Sequence, residues 1–196
     1  MRLESLPNVV TSVIGLVALA AASAAGAQGA APDTFEARLN SLNNSGVTGS
    51  AFVALDSSND ELTVIIAAEG LEANQTHPQH IHGNDNASEN ATCPTLAQDS
   101  NSGDENDNQI SVAEGRETYG PIILALEPFP TADNNGNVTY RQTFQLGEGD
   151  TPSVAQLQPL ENRHIVLHGL TVGGQYIATR PVTCGQLIPR PQQDGQ

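Results

Sequence analysis

The residues best suited to chemistry in this 196-residue chain are its five histidines, which fall into two short clusters. His77, His80 and His82 form the first cluster, and His164 and His168 form the second. On an extended strand, residues two apart share a face, so His80 and His82 can both point at one metal ion. His164 and His168 also share a strand face, but they lie ~13 Å apart at ~3.3 Å per residue, so only one of them can join that site.

His168 is the better candidate of the second pair because Gly169 ends the strand beside it. Three imidazoles without a thiolate or a nearby acidic ligand suit copper or zinc. The alternative is that His80 and His82 are half-buried residues satisfied by hydrogen bonds within the protein. We therefore predict a three-histidine metal site with His80, His82 and His168 as its ligands.

The histidines need strands to position them, and the sequence predicts several. Residues 50–55 and 62–68 are apolar or β-branched runs separated by a polar segment, which predicts a hairpin. Later strands are predicted at 121–126, 138–146, 164–170 and 175–180, each bounded by Gly, Pro, Asn or Asp. Short strands between turn clusters predict an all-β fold, either a sandwich or a Greek-key β-barrel.

The chain has the length of one domain, preceded by an export signal. Arg2 precedes an apolar stretch that ends in the small-residue pattern Ala25-Gly26-Ala27, so we predict a signal peptide at 1–27. A membrane anchor is the alternative, but the strongly apolar part is shorter than the ~20 residues that a span requires. We assign 28–46 to a lead-in segment, 47–188 to the β-domain and 189–196 to a flexible tail. We therefore expect a secreted or periplasmic protein with no transmembrane span after signal cleavage.

Charge and cysteine content narrow the possible partners. With 22 acidic residues against 7 basic ones, none of them Lys, the chain cannot build the clustered cationic surface that nucleic-acid binding needs. The segment 83–118 is long, polar and acidic, which is typical of a functional, disordered or stapled loop. Cys93 lies in it, and in an exported chain the pair Cys93 and Cys184 predicts a disulfide, with free thiols or metal ligands as the alternative.

Three segments resemble the copper/zinc superoxide dismutases. Gly70-Leu71 followed by His77-Pro78-Gln79-His80-Ile81-His82 resembles that family's Gly-Leu … His-Gly-Phe-His-Val-His segment. Arg163-His164-Ile165-Val166-Leu167-His168 resembles its Gly-Arg-x-x-Val-Val-His strand, and Thr183-Cys184-Gly185-Gln186-Leu187-Ile188 resembles its terminal Ala-Cys-Gly-Val-Ile-Gly. The resemblance implies a Greek-key β-barrel in which Cys93 pairs with Cys184.

The same resemblance assigns roles to the histidines. It makes His80, His82 and His168 copper ligands and His77 a structural histidine beside the site. The chain has no histidine between Gly83 and Arg163, where the family has its bridging histidine and its zinc ligands, so the resemblance implies copper without zinc. Arg180 stands nearest to the family's anion-guiding arginine, although the spacing to Cys184 is one residue too long.

A second, weaker resemblance leads to a different function. Leu62-Thr63-Val64 and His80-Ile81-His82-Gly83, with the later Gly185-Gln186-Leu187, are similar to chordin-type CHRD domains, which carry an Ala-His-Ile-His signature. We therefore predict an exported, dismutase-like copper protein whose partners are copper and superoxide. The alternative is a non-catalytic CHRD-like module or copper carrier on the same β architecture.

Overall fold

A computed structural model describes residues 31–99 and 107–191; the predicted signal peptide, 1–27, lies outside these residues. The described chain forms one antiparallel sheet of nine strands. Their bounds are β1 Asp33–Ser41, β2 Thr48–Asp56, β3 Glu61–Glu69, β4 Gln79–His82, β5 Ile122–Ala125, β6 Val138–Gln145, β7 His164–Val172, β8 Gln175–Gln186 and β9 Ile188–Pro189. Two short α-helices accompany them, α1 Val112–Tyr119 and α2 Val154–Leu157.

The strand order in the sheet is β5-β4-β7-β8-β1-β2-β3-β6, and β9 pairs with β1. The sheet curls into a half-barrel, which confirms the predicted all-β class. Its concave side holds the main core, to which inward-facing residues such as Val53, Val64 and Ile165 contribute. The neighbours β4 and β7 are far apart in sequence, so the sheet brings the two histidine clusters together.

The predicted hairpin is confirmed by β2 and β3, which pair over nine residues each. Asp56 begins the turn between them, and its carboxylate accepts hydrogen bonds from the backbone N–H groups of Ser58 and Asn59. This Asx-type turn is the local reason why the polar segment reverses the chain. The four later predicted strands correspond to β5, β6, β7 and β8.

The lead-in predicted at 28–46 is wrong in one respect, because it contains β1. Phe35, Ala37 and Leu39 face the core, while Glu36 and Arg38 face outward. This is a period-two strand pattern that the surrounding Ala-rich composition obscures. The predicted tail 189–196 also begins too early, since Pro189 ends β9. Residues 192–196 lie outside the described part of the chain.

The described parts of the predicted long loop, 83–99 and 107–118, pack on the outer face of β7 and β8. The disulfide between Cys93 and Cys184 is present and ties this loop to β8. A small second core forms beneath this cover from five buried residues: Leu42 after β1, Ile110 of the loop, Tyr119 at the end of α1, Val166 of β7 and Cys184 of β8. As a result, β7 is buried on both of its faces at residues 164–169.

The end of the covering loop is helical. Ser111 caps α1, because its hydroxyl accepts a hydrogen bond from the backbone N–H of Glu114 while the Glu114 carboxylate accepts one from the backbone N–H of Ser111. Gly120, at a φ of 77°, ends the helix. Within the described residues, neither α-helix has the length and hydropathy that crossing a bilayer would need.

Candidate metal centre

The short strand β4 presents two imidazoles on one face of the sheet. His80 and His82 share that face, with ring centroids 5.5 Å apart, while Ile81 between them is fully buried on the opposite side. The strand is held in place by pairing with β7, where His80 lies opposite Val166 and His82 opposite His164. This arrangement is the one expected from the alternation of side chains along a strand.

An irregularity in β7 brings the third imidazole to the same place. The register of β7 against β8 shifts on both sides of His168, and Gly169 adopts a φ of 110° that favours glycine. The backbone N–H of His168 donates to the carbonyl of Pro78, which precedes β4. The His168 ring centroid consequently lies 5.1 Å from that of His80 and 5.8 Å from that of His82.

Each ring of this histidine trio, His80, His82 and His168, offers one nitrogen to a common point, and these nitrogens lie within 4.8 Å of one another. Three buried ring nitrogens have no hydrogen-bond partner, namely Nδ1 of His80 and Nε2 of His82 and His168. Two nitrogens bound to one ion are at most ~4.2 Å apart when metal–nitrogen bonds are ~2.1 Å, so a bound ion would draw the rings slightly together. The trio fits a metal ion in number, type and direction of donor.

Backbone carbonyls set the tautomers of two of these rings. Nδ1 of His82 donates to the carbonyl of Gly120 at 3.0 Å, and Nδ1 of His168 donates to the carbonyl of Thr179 at 2.8 Å. Since a carbonyl only accepts, each Nδ1 must carry a proton, and in the neutral ring Nε2 then keeps its lone pair. Hydrogen bonds of this kind orient imidazoles around metals in known metalloproteins.

The trio is neutral at ordinary pH. Burial lowers the pKa of His80 to about 3, with a further contribution from His168. Burial also lowers the pKa values of His82 and His168 to about 4. Neutral imidazole is the form that binds metals, so burial keeps these rings in the protonation state that a metal ion requires.

The other two histidines are separate from the trio. His77 is buried, and its Nδ1 and Nε2 lie 2.8 Å and 3.0 Å from the carbonyls of His168 and Glu72. Neither nitrogen of His77 therefore faces the site, and the ring fixes the backbone of His168 instead. His164 is also buried, and burial lowers its pKa to about 4.

A cavity of about 350 Å³ opens beside the trio. Its lining, from the covering loop and the strands around the trio, is mainly apolar and consists of Pro78, His80, His82, Val112, Arg116, Tyr119, Gly120, Pro121, Ile122, His168 and Thr179. The Tyr119 ring packs on His82, with centroids 4.5 Å apart. Phe129 packs on His80, at 5.4 Å. Aromatic rings thus hold both imidazoles of β4 in place.

The cation at this cavity is not the one that the sequence predicts. Arg180 was expected to guide an anion, but it is not among the lining residues; its neighbour Thr179 is. Successive residues of a strand point to opposite faces, which separates the two side chains. Arg116 of α1 lines the cavity instead. The capping box Ser111-x-x-Glu114 is the sequence signal that could have placed a helix, and with it Arg116, in the long loop.

The comparison with protein families distinguishes the two resemblances. The model of the CHRD domain matches residues 35–179, which is well over half of the chain. The chain belongs to the CHRD domain family. The CHRD match includes all three histidines of the trio and begins within β1. The weaker of the two sequence resemblances, that to CHRD domains, is therefore the correct one for the family. The family comparison gives no support to the dismutase resemblance. No curated protein matches the chain significantly.

Proposed function

We propose that this CHRD domain is an exported copper-binding module in which His80, His82 and His168 hold one copper ion. Two observations carry this proposal: the three rings each offer a nitrogen, all within 4.8 Å of one another, and each ring has a buried nitrogen without a hydrogen-bond partner. Leaving one buried polar atom unsatisfied costs ~1–3 kcal/mol, so a ligand that pairs with these atoms would stabilise the folded chain. A bound cation would be such a ligand.

Copper fits the trio better than zinc does. Structural zinc sites use four protein ligands in a closed tetrahedron, often with thiolates, whereas the trio supplies three imidazoles, the ligand number of an open site that catalytic zinc shares with copper. For ligands of a given type, Cu²⁺ binds more tightly than Zn²⁺. The cavity adjoins the trio, which leaves room for a further, exchangeable ligand. When bound, the copper ion would supply a Lewis-acidic, redox-capable centre.

Export is proposed on two grounds. The described chain contains a disulfide, and such bonds persist mainly in oxidising compartments such as the extracellular space or the periplasm. The N-terminal segment 1–27 has the pattern of a cleaved signal peptide. A secreted or periplasmic module would meet copper outside the cytoplasm.

Metal analysis of the purified protein tests the proposal. After loading with copper and removal of the excess, we expect about one copper ion per chain, and loss of that copper in the His80→Ala/His168→Ala double variant. His164→Gln is the matched control, because His164 is a buried histidine outside the trio, and it should keep its copper. Wild-type protein without copper would refute the proposal.

A second candidate function is superoxide dismutation at the same ion. The observation that favours it is the position of Arg116. Although the chain as a whole is acidic, this cation lines the cavity beside the trio. Such a charge raises the local concentration of a small anion. A superoxide assay on the copper-loaded protein should then show turnover that falls with salt and in Arg116→Gln. Copper binding without turnover would leave the non-catalytic module.

A further inference from the structure

We propose that the cavity beside the trio is a binding site for a small organic carboxylate with an apolar body, such as an aromatic or branched aliphatic acid. The carboxylate lies at the trio and Arg116, and the body lies along the apolar walls. The part of this inference that concerns the head group rests on the proposed copper site. The part that concerns the apolar body rests on the cavity alone.

The size of the cavity exceeds what a metal ion and a diatomic anion need. Its volume is about 350 Å³, whereas one water molecule accounts for ~30 Å³ of liquid. Superoxide, with two atoms, would leave most of this space to water against apolar walls. Cavities of roughly 300–1,000 Å³ with mostly apolar walls and a few polar groups are typical sites for small organic molecules.

The walls of the cavity carry large apolar side chains that are exposed to solvent. Among the described residues, four large hydrophobic side chains are exposed, and two of them, Val112 at 41% and Ile122 at 53%, line this cavity. They stand on separate elements, α1 and β5. Clustered exposed apolar side chains mark ligand or partner sites more often than isolated ones do. Pro78 and Pro121 extend this apolar lining.

The polar groups of the cavity select an anionic head. The buried Nε2 atoms of His82 and His168 have no partner in the protein, and a copper ion held there would take an oxygen ligand. Arg116 adds a guanidinium, which pairs with a carboxylate through two parallel hydrogen bonds. Among the described residues that line the cavity it is the only basic side chain other than histidine, and a single guanidinium pairs in this way with one carboxylate. A monocarboxylate fits this combination.

Titration with matched acids tests the inference. On the copper-loaded protein, phenylacetate should bind about tenfold or more tightly than acetate, because only the former buries an apolar body. The Val112→Ser/Ile122→Ser variant should lose this preference. Leu96→Ser/Ile188→Ser removes the other two exposed hydrophobic side chains, which do not line the cavity, and should keep the preference. Arg116→Gln should weaken phenylacetate but not benzyl alcohol.

Failure of this inference is distinguishable from failure of the copper site. Equal binding of phenylacetate and acetate to the copper-loaded protein would overturn the inference and leave the copper site intact. If the protein holds no copper, the titration is carried out on the metal-free protein by ligand-observed NMR. Phenylacetate binding that Val112→Ser/Ile122→Ser abolishes would then support the carboxylate site alone, and absence of binding would overturn it.

Discussion

Two halves of one sheet differ in what covers their outer face. In β1, β2 and β3, buried residues alternate with exposed or half-exposed ones, so one face packs on the core and the other meets water. In β7, six consecutive residues are buried, because the core lies on one side and the covering loop with α1 lies on the other. We call β1, β2 and β3 the open half and β4, β7 and β8 the covered half, where Tyr119 of α1 packs on His82. All histidines in strands, those of β4 and β7, lie in the covered half.

This difference shows how a sheet acquires a site. On the open half, water completes the hydrogen bonds of any outward polar group, so a ring nitrogen there would need no other ligand. On the covered half each ring of the trio has a nitrogen shielded from water, and the backbone satisfies only the other nitrogen of His82 and of His168. The cover therefore leaves these strand histidines neutral, each with a ring nitrogen that has no hydrogen-bond partner.

Acid should destabilise the covered half first, and this is the largest effect we expect. Burial lowers the pKa of His80 to about 3 and those of His82, His164 and His168 to about 4, from the usual 6.5. The unfolded chain thus takes up protons at a higher pH than the folded chain. The metal-free protein should keep its full stability above pH 6.5 and lose it as the pH falls toward about 4. Urea unfolding across this range measures the loss.

Two carboxylates outside the covered half, Asp56 and Asp133, do not account for a loss of stability between about pH 6.5 and pH 4. Hydrogen bonds lower their pKa values from 3.8, so their protonation destabilises the folded chain only below pH 3.8. His164→Gln should reduce the loss of stability between about pH 6.5 and pH 4. A stability that does not change over that range would contradict the role assigned to the cover.

Removing the disulfide should have the next largest effect. The Cys93→Ala/Cys184→Ala variant frees the covering loop from β8, and its free energy of unfolding should fall by about 2–5 kcal/mol. Copper affinity should fall with it, because the same loop carries the Gly120 carbonyl that orients His82. Reduction of the wild-type protein should reproduce the loss. Unchanged stability would show that the loop is held by packing alone.

A pair of substitutions on outward-facing residues compares the two halves directly. Val166→Ala, under the cover, should lower the free energy of unfolding by about 2 kcal/mol, because Val166 is fully buried in the second core. Ile65→Ala, on the half-exposed outer face of β3, removes a larger side chain but should cost about 1 kcal/mol or less. Equal losses in urea unfolding would mean that the two faces are not different environments.

The smallest effect should come from the cap of α1. Ser111→Ala removes the hydroxyl that accepts from the backbone N–H of Glu114, which should cost about 1 kcal/mol. Ser111→Thr keeps the acceptor and is the control. Thermal unfolding should show a lower midpoint for the alanine variant alone. A loss in both variants would point to packing at Ser111 rather than to the cap.

The strands and the shared face of His80 and His82 could be predicted from sequence because both depend on local periodicity. The apolar runs of β2 and β3 and the His-x-His of β4 each follow the two-residue repeat of a strand. The alternation in β1 is equally regular, but small Ala residues around it weaken the contrast. The trio contains His168 as predicted, but the reason for that choice is wrong, because β7 does not end at Gly169 and continues to Val172.

What sequence did not provide depends on distant parts of the chain. The shifts in register at His168 arise from pairing with β8, and no local pattern encodes them. Arg116 reaches the cavity because the disulfide-tied loop folds back over β7, whereas the choice of Arg180 rested on its proximity in sequence to Cys184. Side chains whose position depends on a long loop are therefore the hardest to predict.

The two carbonyls that orient His82 and His168 belong to the main chain, and this has a consequence for how sequences of this fold can diverge. Any residue at position 179 supplies the same acceptor, so substitutions of Thr179 leave the orientation of His168 encoded by the backbone. Position 120 is different, since Gly120 has a positive φ and a Cβ there would collide with the carbonyl oxygen of Gly83. Position 179 can therefore change in sequence without loss of its carbonyl acceptor, whereas position 120 is restricted to glycine.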